Sequence, residues 1–259
     1  MLNLSFTYED LQFFLLIVVR VTSFIFIAPF FGMNNTPRMV KIGMGVALSA
    51  LLYGVVDRPE IIFDTETEYA IIVMKEVITG LLIGFGAQLC TTIATLAGRI
   101  VDTEAGLAMA QVFDVNTREQ VSISAGIYQY SLMLILIASG MYRYLVMALR
   151  DTFTLIPVAG AVFNQDKLVG AFIQFLGDFM AIGFRMALPV FCCILLLNAI
   201  LGILAKVAPQ MNMFAVGMQL KVLTGLTILY VSMFLIPKSA ELVFDEMKRM
   251  IVSFVEGMM

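Results

Sequence analysis

Six long apolar runs constrain this chain more than any other feature of its sequence. Each is long enough, or nearly so, to cross about 30 Å of hydrocarbon as an α-helix. Hydrophobic residues make up 61% of the chain and charged residues 14%, against about 25% charged in soluble domains. Too little polar surface remains to cover a soluble fold, so the sequence predicts an all-α, polytopic membrane protein. The runs lie at residues 11–33, 40–56, 70–97, 123–148, 168–205 and 213–237.

Proline and glycine punctuate these runs and predict kinked or broken helices. Pro29 and Gly32 close the first run, and residues 209–212 separate the last two. Proline lacks a backbone N–H and its ring collides with the preceding helical turn. Pro189 is therefore the expected kink in the long fifth run. Beyond Pro237, apolar residues recur among charges at helical spacing, which predicts a terminal amphipathic helix.

Composition also narrows the classes of function. The chain has no histidine, which removes the usual general base, the zinc sites that contain histidine and the Ser–His and Cys–His nucleophile pairs. No nucleotide-binding motif is visible. A formal charge of −3 argues against nucleic-acid binding, for which a basic face is expected. The sequence thus predicts no enzyme, no metal site and no cofactor.

Several charged residues lie inside the apolar runs, where lipid would not tolerate them. A central Arg or Lys costs about 2.5–3.5 kcal/mol on insertion scales, so each should face protein or a water-filled cavity. Two interpretations remain open. The charges could snorkel or form ion pairs within one helical bundle, or other subunits could surround these helices in place of lipid. The residues concerned are Arg20, Lys75, Glu76, Arg185 and Lys221.

Small residues form a stripe along the third run. They recur at spacings of three and four, which places them on one face of a helix. Such stripes let helix backbones approach closely. The stripe is compatible with contact between subunits and equally with packing inside the chain. Its members are Gly80, Gly84, Ala87, Thr91, Ala94 and Gly98.

Residues 97–114 mix glycines and charges with large apolar side chains directly after the third run. Irregular backbone survives at membrane depth only beside protein or a water-lined cavity. The stretch therefore predicts a flexible, half-polar segment at that depth, which we interpret as the plug of a pore. Its informative residues are Gly98, Asp102, Glu104, Gly106, Leu107, Met109, Phe113 and Asp114.

Together, the motifs resemble the family of the flagellar biosynthetic protein FliR, which has counterparts in virulence type III secretion. They follow one another in order from about residue 20 to residue 225, and Val115 departs from the proline found at that place in many members. The matching residues are Arg20 with Pro29–Gly32, Pro37 and Lys41; Lys75–Glu76 with Gly80 and Gly84; Ala97–Gly98 with Asp102, Gly106 and Asp114; and Pro209–Gln210 with Asn212, Phe214, Lys221 and Gly225.

This resemblance implies a subunit of the flagellar export gate. Residues 1–165 would be a FliP-like helical portion that includes the plug, at about 106–121, and residues 166–259 a FliQ-like hairpin with the amphipathic tail. The expected partners are FliP-like and FliQ-like subunits in a hetero-oligomer, an FlhB-like protein and unfolded export substrates. The assembly would lie in the bacterial inner membrane within the flagellar basal body, raised towards the periplasm.

The gating hypothesis assigns roles to single residues. Leu107, Met109 and Phe113 would fill the lumen, and Gly98 and Gly106 would act as hinges. The acidic residues Asp102, Glu104 and Asp114, with Arg118, would orient the plug through polar contacts with neighbouring subunits. Arg20, Lys75, Glu76, Arg185 and Lys221 would be buried at subunit contacts, and Gly80, Gly84 and Ala87 would serve helix packing.

Two other functions remain as alternatives. One is a subunit of a virulence type III secretion apparatus. The other is a small-molecule or ion transporter that uses the intramembrane charges and broken helices. A transporter of that class is expected to show repeat symmetry between its halves, and none is visible. An intramembrane enzyme would need a catalytic constellation, which the sequence does not contain.

Overall fold

The computed structural model describes residues 7–33, 36–56, 58, 63, 65–110, 112–114, 119–208 and 213–259. Helices account for most of this part of the chain, so the predicted all-α class is confirmed. A short antiparallel hairpin, β1 with β2, interrupts the helical order between the third and fourth helices. The elements are α1 Tyr8–Ile27, α2 Arg38–Tyr53, α3 Glu66–Ala105, β1 Val112–Asp114, β2 Glu119–Val121, α4 Ile123–Ala138, α5 Met141–Leu155, α6 Gln165–Val207, α7 Met213–Ser232 and α8 Ile236–Glu256.

Two helices end near the positions predicted from proline and glycine. At the start of α1 the backbone N–H of Thr7 donates to Asp10 Oδ2 at 3.0 Å, which satisfies one of the free donors at the helix start. The helix ends at Ile27, two residues before Pro29. The α6 helix ends at Val207 and α7 begins at Met213, as the predicted break between the last two runs requires.

The number of membrane spans is smaller than the six apolar runs suggest. Within the described residues, four helical stretches are long and apolar enough to cross a membrane, or five if a bent pair counts as one span. The α2 helix has only 16 residues. The bent pair is α4 with α5, which meet at 70°. Gly140, with φ at 74°, lies at that bend, and glycine adopts this left-handed conformation without steric cost.

The C-terminal half consists of two long helical stretches. The α6 helix continues through Pro189 for 43 residues, so the proline does not end it. A 3₁₀ turn, Met233–Leu235, joins α7 to α8. The predicted terminal amphipathic helix is confirmed by α8, where Met247 and Phe254 are buried while Arg249 and Val252 are exposed.

The chain forms two compact units that are interleaved in sequence. Unit 1 consists of Met1–Cys90, Gly140–Phe175 and Glu246–Met259, and unit 2 of Thr91–Ser139 and Leu176–Asp245. In unit 1, Leu16, Ile17 and Phe24 of α1 are buried. In unit 2, the core includes Ile93 of α3, Leu132 and Leu136 of α4 and Ile194 of α6. The sequence resemblance divides the chain into a FliP-like portion, 1–165, and a FliQ-like portion, 166–259. This division stays a prediction.

Candidate functional site

The first half of the stretch 97–114, which the sequence predicted to be flexible, is helical. Residues 97–105 continue α3 as regular helix, so the expectation of irregular backbone from residue 97 is wrong for this stretch. Ala97, Val101 and Ala105 are at most 1% exposed. Their spacing of four keeps one apolar face buried, and this packing stabilises the helix despite Gly98 and the nearby charges.

The stretch between α3 and α4, here called the insertion, spans Gly106 to Val121, and its described residues (106–110, 112–114 and 119–121) form no α-helix. Gly106 has φ at 77°, the left-handed conformation that commonly ends a helix. A 3₁₀ turn, Leu107–Ala110, follows, and Leu107 is 7% exposed. In the hairpin Phe113 pairs with Gln120 and Asp114 with Glu119. The side chains of Met109, Phe113 and Asp114, and the whole of Arg118, lie outside the described part of the chain, so their roles stay predictions.

Asp102 fastens the two ends of this insertion together. Its carboxylate is fully buried and accepts a hydrogen bond from Ser122 Oγ at 2.5 Å. The backbone N–H of Ser124 donates to both carboxylate oxygens, at 3.2 and 3.3 Å. Ser122 Oγ in turn accepts from the N–H of Ala125 at 3.2 Å. These bonds satisfy donors at the start of α4, where a negative charge is also favoured by the helix dipole.

Gly98 brings α3 and α4 together one turn before Asp102. A Cβ at this glycine would overlap the backbone of Ala125 and approach that of Ser124 at 2.7 Å. Only a residue without a side chain allows so close an approach between two helices. The structure thus places Gly98 in a tight helix contact inside α3, and its predicted action as a hinge stays a prediction.

Two further residues complete the base of the insertion. Glu104 is half-buried on the last turn of α3. The hydroxyl of Ser124 is buried and has no hydrogen-bond partner among the described residues. The roles of Ser122 and Ser124 were not predicted from the sequence, although a serine ahead of an apolar run is a common N-cap.

A second buried site joins Arg20 to Glu76 in unit 1. Both side chains are 0% exposed. Arg20 Nε lies 2.5 Å from Glu76 Oε2 and Nη2 lies 2.9 Å from Oε1, the bidentate arrangement that gives strong charge-assisted hydrogen bonds. Of the two interpretations left open by the sequence, internal ion pairing is correct here. The expectation that Arg20 and Glu76 contact another subunit is wrong, because neither reaches the surface of the chain.

The same pair also holds the end of α5. Arg20 Nη1 donates to the carbonyl oxygen of Ile156 at 2.9 Å, and its guanidinium lies 4.3 Å from the ring centre of Phe153. The backbone N–H of Ala159 donates to Glu76 Oε1 at 3.0 Å. Carbonyls at a helix end have no partner within the helix, so Arg20 supplies one. Sequence patterns could not indicate these partners, since nearly every residue has a backbone N–H and a backbone carbonyl.

The glycines of the small-residue stripe pack within the chain. Around Gly80 a Cβ would overlap Ser23 Oγ and the carbonyl oxygen of Arg20. At Gly84 it would lie 2.9 Å from the carbonyl oxygen of Phe24. Ala87 is fully buried. Packing inside the chain, the second of the two alternatives for the stripe, therefore describes these positions.

The other charged residues of the apolar runs form no such buried ion pair with residues that the structure describes. Lys75 and Lys221 are half-buried and Arg185 is exposed. Arg185 lines a groove of about 320 Å³ together with Lys238 and Glu241. Neither Arg185 nor Lys221 forms an ion pair with a residue that the structure describes. Contact of these charges with another subunit stays a prediction.

The fold and the two sites define a class of protein: a multi-pass helical membrane protein with a buried internal ion pair and, between α3 and α4, an insertion whose ends are joined by hydrogen bonds. The chain belongs to the bacterial export proteins, family 1, whose family model matches residues 11–247. The resemblance stated from the sequence motifs is thereby confirmed.

Several relatives carry the name flagellar biosynthetic protein FliR. The protein from Bacillus subtilis is 27% identical over 222 residues, which cover 85% of each chain. That from Aquifex aeolicus is 26% identical over 244 residues, or 94% of this chain and 93% of the relative. That from Escherichia coli is 23% identical over 240 residues, or 92% and 90%. The similarity is thus spread over nearly the whole chain.

Proposed function

We propose that this protein is a structural and gating subunit of the flagellar type III export gate. With FliP-like and FliQ-like subunits it would form the pore through which unfolded flagellar proteins leave the cell. Membership of an export family and the flagellar names of relatives that match over most of the chain support this assignment. The subunit would be non-enzymatic, and the energy for export would come from other parts of the machine.

The insertion from Gly106 to Val121 is the observation that carries the gating role. It joins α3 to α4, and its described residues form no α-helix, in a chain with helices apolar enough to span a membrane. Irregular backbone at membrane depth needs protein or water for its polar groups, and the lumen of a pore offers both. Leu107, Met109 and Phe113 would close that lumen until substrate displaces them.

The assembly would lie in the inner membrane within the flagellar basal body, raised towards the periplasm. An FlhB-like protein would contact it as a further partner. Arg185 and Lys221 lie in apolar helices without an ion-pair partner among the described residues. Such charges need protein or water around them, which neighbouring subunits of a hetero-oligomer would provide.

Deletion of residues 107–119 tests the gating role. The experiment compares leakage of a small fluorescent solute through the membrane of cells with the intact and the shortened chain, alongside co-purification of the complex. We expect the complex to assemble and leakage to rise, because Asp102 and Ser122 lie outside the deleted segment. Unchanged leakage in a fully assembled complex would refute the gating role.

Co-purification separates the export gate from a transporter. The tagged chain is extracted in mild detergent and its native mass is measured. Two other small hydrophobic proteins in the complex would support the proposal. A stable, functional monomer or homodimer that transports a small solute would contradict it.

A further inference from the structure

The exposed face of α5 carries a polar stripe, here called the α5 stripe. Its members follow one another at spacings of four, three and four, which places them on one side of the helix. They are two arginines, a methionine and a threonine, with an aspartate beside them, and all five are exposed: Arg143, Met147, Arg150 and Thr154, with Asp151. The side of α5 that the chain leaves uncovered is therefore mainly polar.

The opposite face of α5 fixes this orientation. Leu145 and Leu149 are at most 1% exposed. At the end of the helix, the Arg20 guanidinium lies 4.3 Å from the ring centre of Phe153 and donates to the carbonyl oxygen of Ile156. Rotation of α5 about its axis would expose the leucines and take these partners from a buried charge, and both changes are costly. The α5 stripe must therefore point away from the core of unit 1.

The α5 stripe lies where an apolar face would be expected. Together with α4, α5 is long and apolar enough to form one bent span of a membrane. The exposed face of α4 is apolar, and Leu134 and Ile137 belong to it. Lipid or a partner helix can cover such side chains. Charged side chains at membrane depth need protein or water around them, so the α5 stripe faces one of these two and not acyl chains.

The charges of the α5 stripe favour water over protein. Neither Arg150 nor Asp151 has an ion-pair partner among the described residues, and Arg143 Nε donates to the hydroxyl of the neighbouring Tyr142 at 3.1 Å. The core of a protein–protein interface is depleted of charged residues, because each buried charge needs a matched partner. Water satisfies charges of both signs without such matching. At membrane depth, water is found inside a pore or cavity.

We infer that the α5 stripe lines the pore and contacts the unfolded polypeptide in transit. The inference rests on the proposed export function and assigns to it a surface outside the insertion. Asp151 offsets part of the positive charge of Arg143 and Arg150, so an acidic segment of substrate is held less tightly than by the arginines alone. Met147 adds a flexible apolar side chain that adapts to partners of different shape. Such a surface suits unfolded substrates of varied sequence.

Cysteine accessibility in the assembled, full-length complex tests contact with water. A charged thiol reagent that does not cross membranes is added to Met147→Cys or Thr154→Cys. The thiolate is the reactive form, and apolar surroundings suppress it. We expect both positions to react at least about tenfold faster than Leu145→Cys, on the buried face, and Leu134→Cys, on the apolar face of α4. The native cysteines are first replaced by alanine: Cys90, Cys192 and Cys193.

Photo-crosslinking identifies the neighbour of the α5 stripe. An export substrate fused to a stably folded domain is arrested in transit, because the proposed pore passes unfolded chains. With a photo-reactive amino acid at Met147, or at Thr154 as a second position, irradiation should join this chain to the arrested substrate. The same group at Leu134 should give no such product. Secretion of the unfused substrate by each variant shows that its complex has assembled.

The outcomes separate this inference from the function on which it rests. If the arrested substrate co-purifies with the complex but positions 147 and 154 join only another subunit or lipid, the inference is overturned and the export role stands. Equal thiol reactivity of Met147→Cys and Leu134→Cys would also overturn it. If no substrate co-purifies with the complex, the export role is refuted and the inference falls with it.

Discussion

Arg20 and Glu76 form a buried ion pair within one chain, so each has the oppositely charged partner that a charge in an apolar helix requires. Both side chains are fully buried, and two hydrogen bonds join them. Backbone groups near the end of α5 make further hydrogen bonds with the same two side chains. A buried ion pair is weak evidence of net stability, because desolvation offsets the attraction between the charges. Its physical consequence is specificity: α1, α3 and the end of α5 must meet in one arrangement for the charges to be satisfied.

Glu76→Ala should destabilise the protein strongly, because it leaves the Arg20 guanidinium buried without its anion. Loss of one partner of a buried pair costs about 3–5 kcal/mol. Thermal unfolding of the detergent-solubilised protein should show the loss as a clearly lower Tm. Arg58→Ala is the control, since its pair with Asp10 is exposed and such pairs contribute about 0–1 kcal/mol. Equal effects of the two variants would contradict the role of the buried pair.

Gly98→Ala should prevent α3 and α4 from packing, because the new methyl group would overlap the backbone of Ala125. We expect poor accumulation of the protein in the membrane and loss of the complex, measured by immunoblotting and co-purification. Gly126→Ala is the matched control, since a Cβ there would meet no atom of the described residues within 4 Å. A Gly98→Ala chain that accumulates normally but shows altered leakage would instead support the hinge predicted from the sequence.

Charged residues in apolar runs were recognisable from the sequence, but their partners were not. Arg20 stood out because a charge near the middle of a span is costly. Its partner Glu76 is 56 residues away, and no local pattern links the two. Asp102 likewise meets Ser122 and Ser124 only through the packing of α3 on α4. The sequence therefore predicted which side chains need partners, and the fold decided which partners they have.

Helix boundaries show where local signals succeed and where packing overrides them. The ends of α1 and α6 were predictable, because proline and glycine act on the residues beside them. The extension of α3 through residues 97–105 was not. Glycine and charged residues there weaken helix formation locally, yet Ala97, Val101 and Ala105 bury one face. Tertiary burial of an apolar face outweighs intrinsic propensity in most protein helices.

The C-terminal helix α8 illustrates how an amphipathic element is held to the protein. Phe254 is 3% exposed, and its ring lies 3.0 Å from where a Cβ on Gly86 would be. Beyond the helix, the backbone N–H of Val162 donates to the carbonyl oxygen of Met258 at 3.0 Å. Burial of the ring and these backbone bonds together fix the end of the chain in unit 1.

Phe254→Ala should loosen α8, because it removes a buried ring from a closely packed contact. Large-to-small changes of this kind cost about 3–5 kcal/mol. We expect a lower Tm in detergent and faster protease cleavage within residues 246–259. Val252→Ala is the control on the same helix, as Val252 is 49% exposed. Similar cleavage rates for both variants would show that the buried face of α8 contributes little to its attachment.

Most of the apolar surface of the long α6 helix is not covered by the rest of the chain. Only 17% of its most apolar window is buried, and Arg185 stands exposed among these side chains. Lipid could cover the apolar groups but not the charge. A partner polypeptide would satisfy both requirements at once. Exposed apolar members of α6 include Val169, Ile173, Met180, Phe184, Leu188, Leu195, Leu196, Ile200 and Ile203.

A photo-reactive amino acid at Leu188 distinguishes these two environments. Leu188 is 44% exposed and lies three residues from Arg185, which places both on one side of the helix. In native membranes we expect irradiation to join the chain to another polypeptide, visible as a discrete band of higher mass. The same group at Leu136, which is fully buried, should give no such band. If position 188 yielded lipid adducts alone, Arg185 would face the bilayer, and α6 would have no role in joining this subunit to its partners.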